Sequence, residues 1–173
     1  MNGEPRDLTE GIAFLHPASL LGTWVGCGLL PGLPGTWGSA AALPFAWLIA
    51  TQAGSAGLLI AAALLLPLGI WASNVLIRRT GGVQDPGFVV IDEVVGQWVT
   101  LSVVSPGYIN YLTGFILFRI FDVLKPWPAN SLDRNVRGGI GVMADDLASA
   151  LYAALVLWGM QELGLLEWNP LSS

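Results

Sequence analysis

Residues 37–77 read WGSAAALPFAWLIATQAGSAGLLIAAALLLPLGIWASNVLI and contain no charged side chain. The uncharged run is wider still, because no Asp, Glu, Lys or Arg occurs between Glu10 and Arg78. A water-soluble domain needs charged surface along such a length, whereas a bilayer penalises it. The stretch is long enough for two spans, and TQAGSAG (Thr51 to Gly57) supplies turn residues between them. The expected fold class is therefore all-α: a polytopic membrane helical bundle.

The rest of the chain extends that reading. Val89 to Leu124 holds two further apolar stretches divided by SPGYIN (Ser105 to Asn110), and a fifth runs from about Asp146 to Met160. Spans of 16 or 17 residues lie at the lower limit for a bilayer, so the expected count is four to five. Gly11 to Leu30, broken by Pro17, Gly22, Gly26 and Gly28, reads as an interfacial or re-entrant segment. The first ten residues carry Glu4, Asp7 and Glu10 against Arg6, which is unlike the basic start of an export signal. The expected organisation is an N-terminal segment (1–30), a membrane-embedded domain (31–162) and a C-terminal tail (163–173), with no internal repeat. Only 11% of residues are charged, against roughly 25% in soluble domains. No broad basic surface is available for nucleic acid. The single cysteine, Cys27, excludes an intrachain disulfide and reads as a packed residue.

Three acidic clusters interrupt this apolar chain: Asp92-Glu93, Asp122 within FRIFDVLKPWP (Phe118 to Pro128), and Asp145-Asp146. Ionisable groups beside bilayer segments are costly, so they pair, bind an ion or line a polar pathway. If the chain near Pro34 is cytoplasmic, five alternating spans place Arg78, Arg79, Lys125, Arg134 and Arg137 on the cytoplasmic side. The outer turns then carry no basic residue, as the positive-inside rule requires. The same alternation brings PGTWGS (Pro34 to Ser39) and all three acidic clusters to one face. Five carboxylates able to meet there have the composition of a divalent-metal site.

Four motifs, PGLPGTWGS, DEVVGQW (Asp92 to Trp98), FRIFDVLKPWP and DRNVRGGIGVMADD (Asp133 to Asp146), occur in an order and spacing that resembles the phosphatidylglycerophosphatase A family. The resemblance covers Pro31 to about Ala150. It implies a bacterial inner-membrane, Mg²⁺-dependent phosphatase, multi-pass, with its active site on the cytoplasmic side. The implied substrate is phosphatidylglycerophosphate, hydrolysed to phosphatidylglycerol and inorganic phosphate.

The residues carry this chemistry on their own terms. Mg²⁺ takes oxygen ligands and keeps several waters, so two or three carboxylates suffice. Candidate ligands are Asp92, Glu93, Asp122, Asp145 and Asp146; Asp92, Glu93, Asp122 and Asp146 are also the candidate catalytic groups. Asp146 is favoured as a ligand over Asp145, which reads as its partner or a base. Carboxylates at helix starts that merely favour the dipole are the plain alternative. Arg119, Asp122 and Lys125 recur at three-residue spacing, so on a helix they form one polar stripe. Arg119 and Lys125 are candidates for the substrate phosphate, or for an internally satisfied ion network. Arg134 and Arg137, in a glycine-rich loop, can clamp the headgroup or simply attract anionic lipid. Thr36 and Ser39 stand where a helix start can bind an anion, or cap that helix. Gly96 would let a neighbouring helix approach closely. Asp85 is a minor ligand candidate, Trp127 an interface anchor, and His16 incidental.

Absences narrow the mechanism. Six positions after Cys27 stands Leu33, not the Arg of a cysteine phosphatase, and neither a D-x-D-x-T signature nor a DG…AR…G…D pattern occurs. Carboxylate and metal remain, acting through an activated water or a directly attacking Asp. A small cation transporter or channel would instead place its acidic groups near mid-span with access from both faces. An assembly subunit would show satisfied ion pairs and no metal requirement.

Overall fold

A computed structural model describes residues 15–166. Residues 1–14, with the beginning of the expected Gly11–Leu30 segment, and the C-terminal tail beyond 166 lie outside the described residues. Six α-helices follow one another: α1 (Pro17–Gly22), α2 (Pro34–Arg79), α3 (Ile91–Leu101), α4 (Tyr108–Leu124), α5 (Ala129–Asn135) and α6 (Gly138–Glu162). A single 3-10 turn, Cys27–Leu29, follows α1, and no strand occurs among the described residues.

The long α2 is folded back on itself. Gly54, inside the expected turn, has φ 69° and ψ −178°, a left-handed conformation that side chains other than glycine rarely adopt. A Cβ on Gly38 would lie 2.6 Å from Val90 Cβ, and one on Gly69 would lie 3.3 Å from Ile91. In a straight helix those glycines would be about 46 Å apart, so the two arms must lie side by side.

α3 is the centre of the bundle. Every one of its 11 residues except Glu93 is buried, between α2, α4 and α6. Trp98 Nε1 donates to the Ala42 carbonyl at 3.1 Å, which pins α3 to α2. Gly96 admits the Phe118 ring of α4, 2.6 Å from where a Cβ would stand. Thr100 Oγ1 reaches the Ala150 carbonyl of α6 at 3.4 Å, a close approach that the buried small residues Ala150, Ala153 and Ala154 permit. The N-terminal segment closes one side: the Val90 amide donates to the Gly22 carbonyl at 2.8 Å, and Trp24 stacks edge-on against Trp98 and Phe45.

The outward faces are apolar. On α4, Ile109, Leu112, Ile116, Ile120 and Val123 are exposed at three- and four-residue spacing; on α6 so are Leu151, Leu155 and Trp158. In water such faces would form an aggregating patch far larger than soluble proteins carry; against lipid they cost nothing. α2 and α6 are long and apolar enough to cross a membrane. At 11 residues α3 falls well short of the roughly 20 a span requires, and α4 has 17.

Two local expectations are corrected. The segment around Arg134 is the helix α5, not a loop. The last helix opens at Gly138, not at Asp145-Asp146, so this acidic pair lies two turns inside it. Glycine explains the early start. Gly138 has φ 75°, its amide donates to Gln84 Oε1, and the next amide, of Gly139, donates to Asn74 Oδ1 at 2.9 Å.

A Cβ on Gly139 would overlap the Ile70 carbonyl oxygen, a backbone atom that cannot rotate away. Gly139→Ala should therefore destabilise the α2–α6 contact by roughly 1–3 kcal/mol, the usual cost of overpacking. Thermal unfolding in detergent measures this, and an unchanged Tm would show that the two helices have room to part.

Candidate active site

The amino-terminal turn of α3 presents Asp92 and Glu93, and α6 presents Asp146 from its third turn. One carboxylate oxygen from each lies within 4.8 Å of the other two. Asp92 and Asp146 are only 6% and 4% exposed. Asp92 Oδ1, Glu93 Oε2 and Asp146 Oδ2 are buried and have no hydrogen-bond partner. Three converging carboxylates with an unpaired oxygen each are unstable against mutual repulsion unless a cation or protons join them. This oxygen-only set, with one bare oxygen on each carboxylate, fits a hard divalent cation such as Mg²⁺.

Beside the triad stands Arg119. Its Nη1 pairs with Asp122 Oδ2 at 2.6 Å, one helical turn along α4, and lies 4.0 Å from Glu93 Oε1. The same nitrogen donates to Ser39 Oγ at 3.4 Å, while Ser39 donates to the Gly35 carbonyl at 2.8 Å. Asp122 thus orients the guanidinium and is not one of the three converging carboxylates. Ser39 acts as a link between the start of α2 and Arg119, and α2 carries no side-chain cap. Thr36 is half-buried in the first turn of the same helix.

The polar stripe splits at Lys125. Its ammonium pairs with Asp145 and, at 2.9 Å, with Asp133. Burial works to lower the Lys125 pKa, but the hydrogen bonds to Asp145 and Asp133 outweigh it and raise the pKa above the usual lysine range. The folded value is the higher, so the contribution of these pairs to stability is complete below the ordinary lysine pKa. It fades only as pH rises through the folded value, far above neutrality. Asp145 is therefore turned to Lys125 while its neighbour Asp146 faces the triad, about 100° around the helix. Gln84, Asp85, Asp133 and Asp145 line a separate shallow pocket on that side. Arg134 and Arg137 are exposed beyond it.

Sequence reasoning passed over two residues, one near the start of α2 and one on α3. Gly35 is one: a Cβ there would overlap Glu93 Oε1 and come within 3.1 Å of Arg119 Nη1. The glycine lies inside the quoted PGTWGS motif, where the neighbouring hydroxyls draw attention instead. The other is Gln97, a fully buried amide in an otherwise apolar stretch of α3.

Comparison with known proteins identifies the family. The family model described as phosphatidylglycerophosphatase A matches residues 20–161. The chain belongs to the phosphatidylglycerophosphatase A family. It is accordingly an enzyme, a phosphoric monoester hydrolase. The match reaches beyond the Pro31–Ala150 motif region, into α1 and along α6. The chain is 39% identical over 151 residues to phosphatidylglycerophosphatase A of Escherichia coli (strain K12), covering 83% of each chain. It is 37% identical over 154 residues to the Haemophilus influenzae protein of that name, covering 87% of this chain and 92% of the other. A Bacteroides thetaiotaomicron protein named putative phosphatidylinositol-3-phosphatase is 37% identical over 151 residues, 80% of this chain and 89% of its own. No solved structure matches the chain significantly.

A methyl group at position 35 must displace Glu93 and Arg119 together. Gly35→Ala should lower kcat/KM by about 10–100-fold, the usual effect of disturbing the groups that orient a metal ligand, with little change in Tm. Steady-state phosphate release beside a melting curve checks this; wild-type turnover would mean that the Glu93–Arg119 approach is not needed.

Proposed function

We propose that this protein is a divalent-cation-dependent lipid phosphatase. It hydrolyses phosphatidylglycerophosphate to phosphatidylglycerol and inorganic phosphate at the cytoplasmic face of a bacterial inner membrane. The observation that carries the proposal is the meeting of Asp92, Glu93 and Asp146, with Arg119 against Glu93, in a chain of this family. The curated relatives named phosphatidylglycerophosphatase A support the substrate.

Asp92, Glu93 and Asp146 would hold the cation, Mg²⁺ in this reading. When bound, a divalent cation neutralises phosphate charge and lowers the pKa of a coordinated water. Arg119 offers a planar, permanently charged fork to the phosphate oxygens, where charge develops during transfer. Asp122 and Ser39 hold that fork in place. Burial of the triad keeps bulk water from screening these charges. The nucleophile is a water or a carboxylate of the site, and rapid-quench trapping of a phosphoryl-aspartate separates the two routes. Lys125 is already held by two carboxylates and contributes less to phosphate binding than Arg119. Exposed Arg134 and Arg137 supply a basic surface to which the anionic substrate is drawn.

Placement in the membrane follows from the same reading. The folded-back α2 and α6 cross the bilayer, α4 reaches through most of it, and α3 is enclosed at the centre. With each arm of α2 as one crossing, α4 and α6 bring the count to four. The site then sits at the headgroup level, and the acyl chains of the substrate stay in the bilayer.

Phosphate release from phosphatidylglycerophosphate by the purified protein in detergent tests the proposal. Release should require Mg²⁺, stop with EDTA, and fall by at least about 100-fold in Asp92→Asn, Glu93→Gln and Asp146→Asn. Phosphatidylinositol 3-phosphate, suggested by the Bacteroides relative's name, should be a poor substrate. Metal-independent release, or a preference for the inositol lipid, would contradict the assignment.

A further inference from the structure

Gln97 is completely buried, and neither atom of its amide has a hydrogen-bond partner. Buried amides are almost always satisfied, so an exception asks for a ligand or a function. Its place on α3 narrows the choice. The other polar side chains of this helix divide into two groups. Trp98 is bonded to the Ala42 carbonyl, and Thr100 to the carbonyls of Gly96 and Ala150. Asp92, Glu93 and Gln97 keep unpartnered buried atoms.

These three are grouped in space as well. Gln97 is four residues beyond Glu93, about 40° round the helix and one turn deeper in the bundle, where side chains of such a pair touch. Asp92 completes an arc of about 140°. The adjoining turn is pressed against the backbone of the third triad residue, with the Asp146 carbonyl oxygen 3.4 Å from where a Gly96 Cβ would stand. Gln97 therefore stands one helical turn beyond Glu93, on the side away from the start of α3, with both amide atoms buried and unpartnered.

We propose that Gln97 is a positioning residue of the cation site. Its amide would hydrogen-bond Glu93 or a water held by the bound cation, and so steady the ligand without adding negative charge. A fourth carboxylate there would add to the repulsion among three buried ones, whereas a neutral amide orders the shell without that cost. This inference rests on the cation site proposed above.

The test is titration of the detergent-purified full chain with Mn²⁺, followed by electron paramagnetic resonance of the free ion, alongside melting curves without metal. Wild type should bind Mn²⁺ and Asp92→Asn should not. Gln97→Met, similar in volume and apolar, should bind Mn²⁺ about 10–100-fold more weakly. Its metal-free Tm should be unchanged or higher, because an unsatisfied buried amide has been removed. Wild-type Mn²⁺ affinity in Gln97→Met would overturn the role of Gln97 while leaving the cation site standing. A lower metal-free Tm or failure to fold in Gln97→Met would also overturn it, by showing that the amide is already satisfied within the protein. Absence of Mn²⁺ binding in wild type would remove the cation site and the inference together.

Discussion

Bringing Asp92, Glu93 and Asp146 within 4.8 Å of one another inside an apolar bundle is the constraint on which the rest of the structure depends. Like charges at that separation, away from water, do not remain ionised together without a counter-charge. One protein cation, Arg119, stands at 4.0 Å from Glu93, but it is already paired with Asp122. The described side chains thus leave the triad short of positive charge, which a divalent cation, in the function proposed above, would supply. Lys125 is engaged instead by Asp133 and Asp145. Adjacent aspartates on α6 thereby serve different ends, one facing the triad and the other restraining a lysine.

The fold meets this constraint with close backbone approaches. α3 carries two of the three carboxylates and is sheathed on all sides. Its glycine at position 96 lets α4 and α6 come near enough for Asp146 and Arg119 to reach the same point. Gly35 does the same from the start of α2. Each of these positions has a neighbour where a side chain would stand, so small residues here set distances between charged groups. The outer helices turn apolar side chains outward, and the carboxylates of the site gather at one end of the bundle.

Much of this was legible in the sequence. The uncharged run from Trp37 to Ile77 reads as helix, and TQAGSAG contains the reversal, because only a glycine there takes a left-handed conformation easily. Asp92-Glu93 and Asp146 stood out because carboxylates are costly in such surroundings. What the sequence hid was three-dimensional. The sequence favours Asp146 over Asp145 as a ligand, but only the fold shows that Asp145 is taken by Lys125. The helical start at Gly138 was obscured because successive glycines read as loop until Gln84 and Asn74 are seen to accept their amides. Hydrophobicity does not distinguish a short enclosed helix from a span, so by sequence α3 reads as the latter.

The central claim is that these three carboxylates form one cation site. Anomalous diffraction from crystals grown with Mn²⁺, collected near the manganese edge, tests it most directly. The account predicts a peak among the carboxylates of Asp92, Glu93 and Asp146. A peak beside Asp133 and Asp145 instead, or none in crystals of active protein, would contradict it.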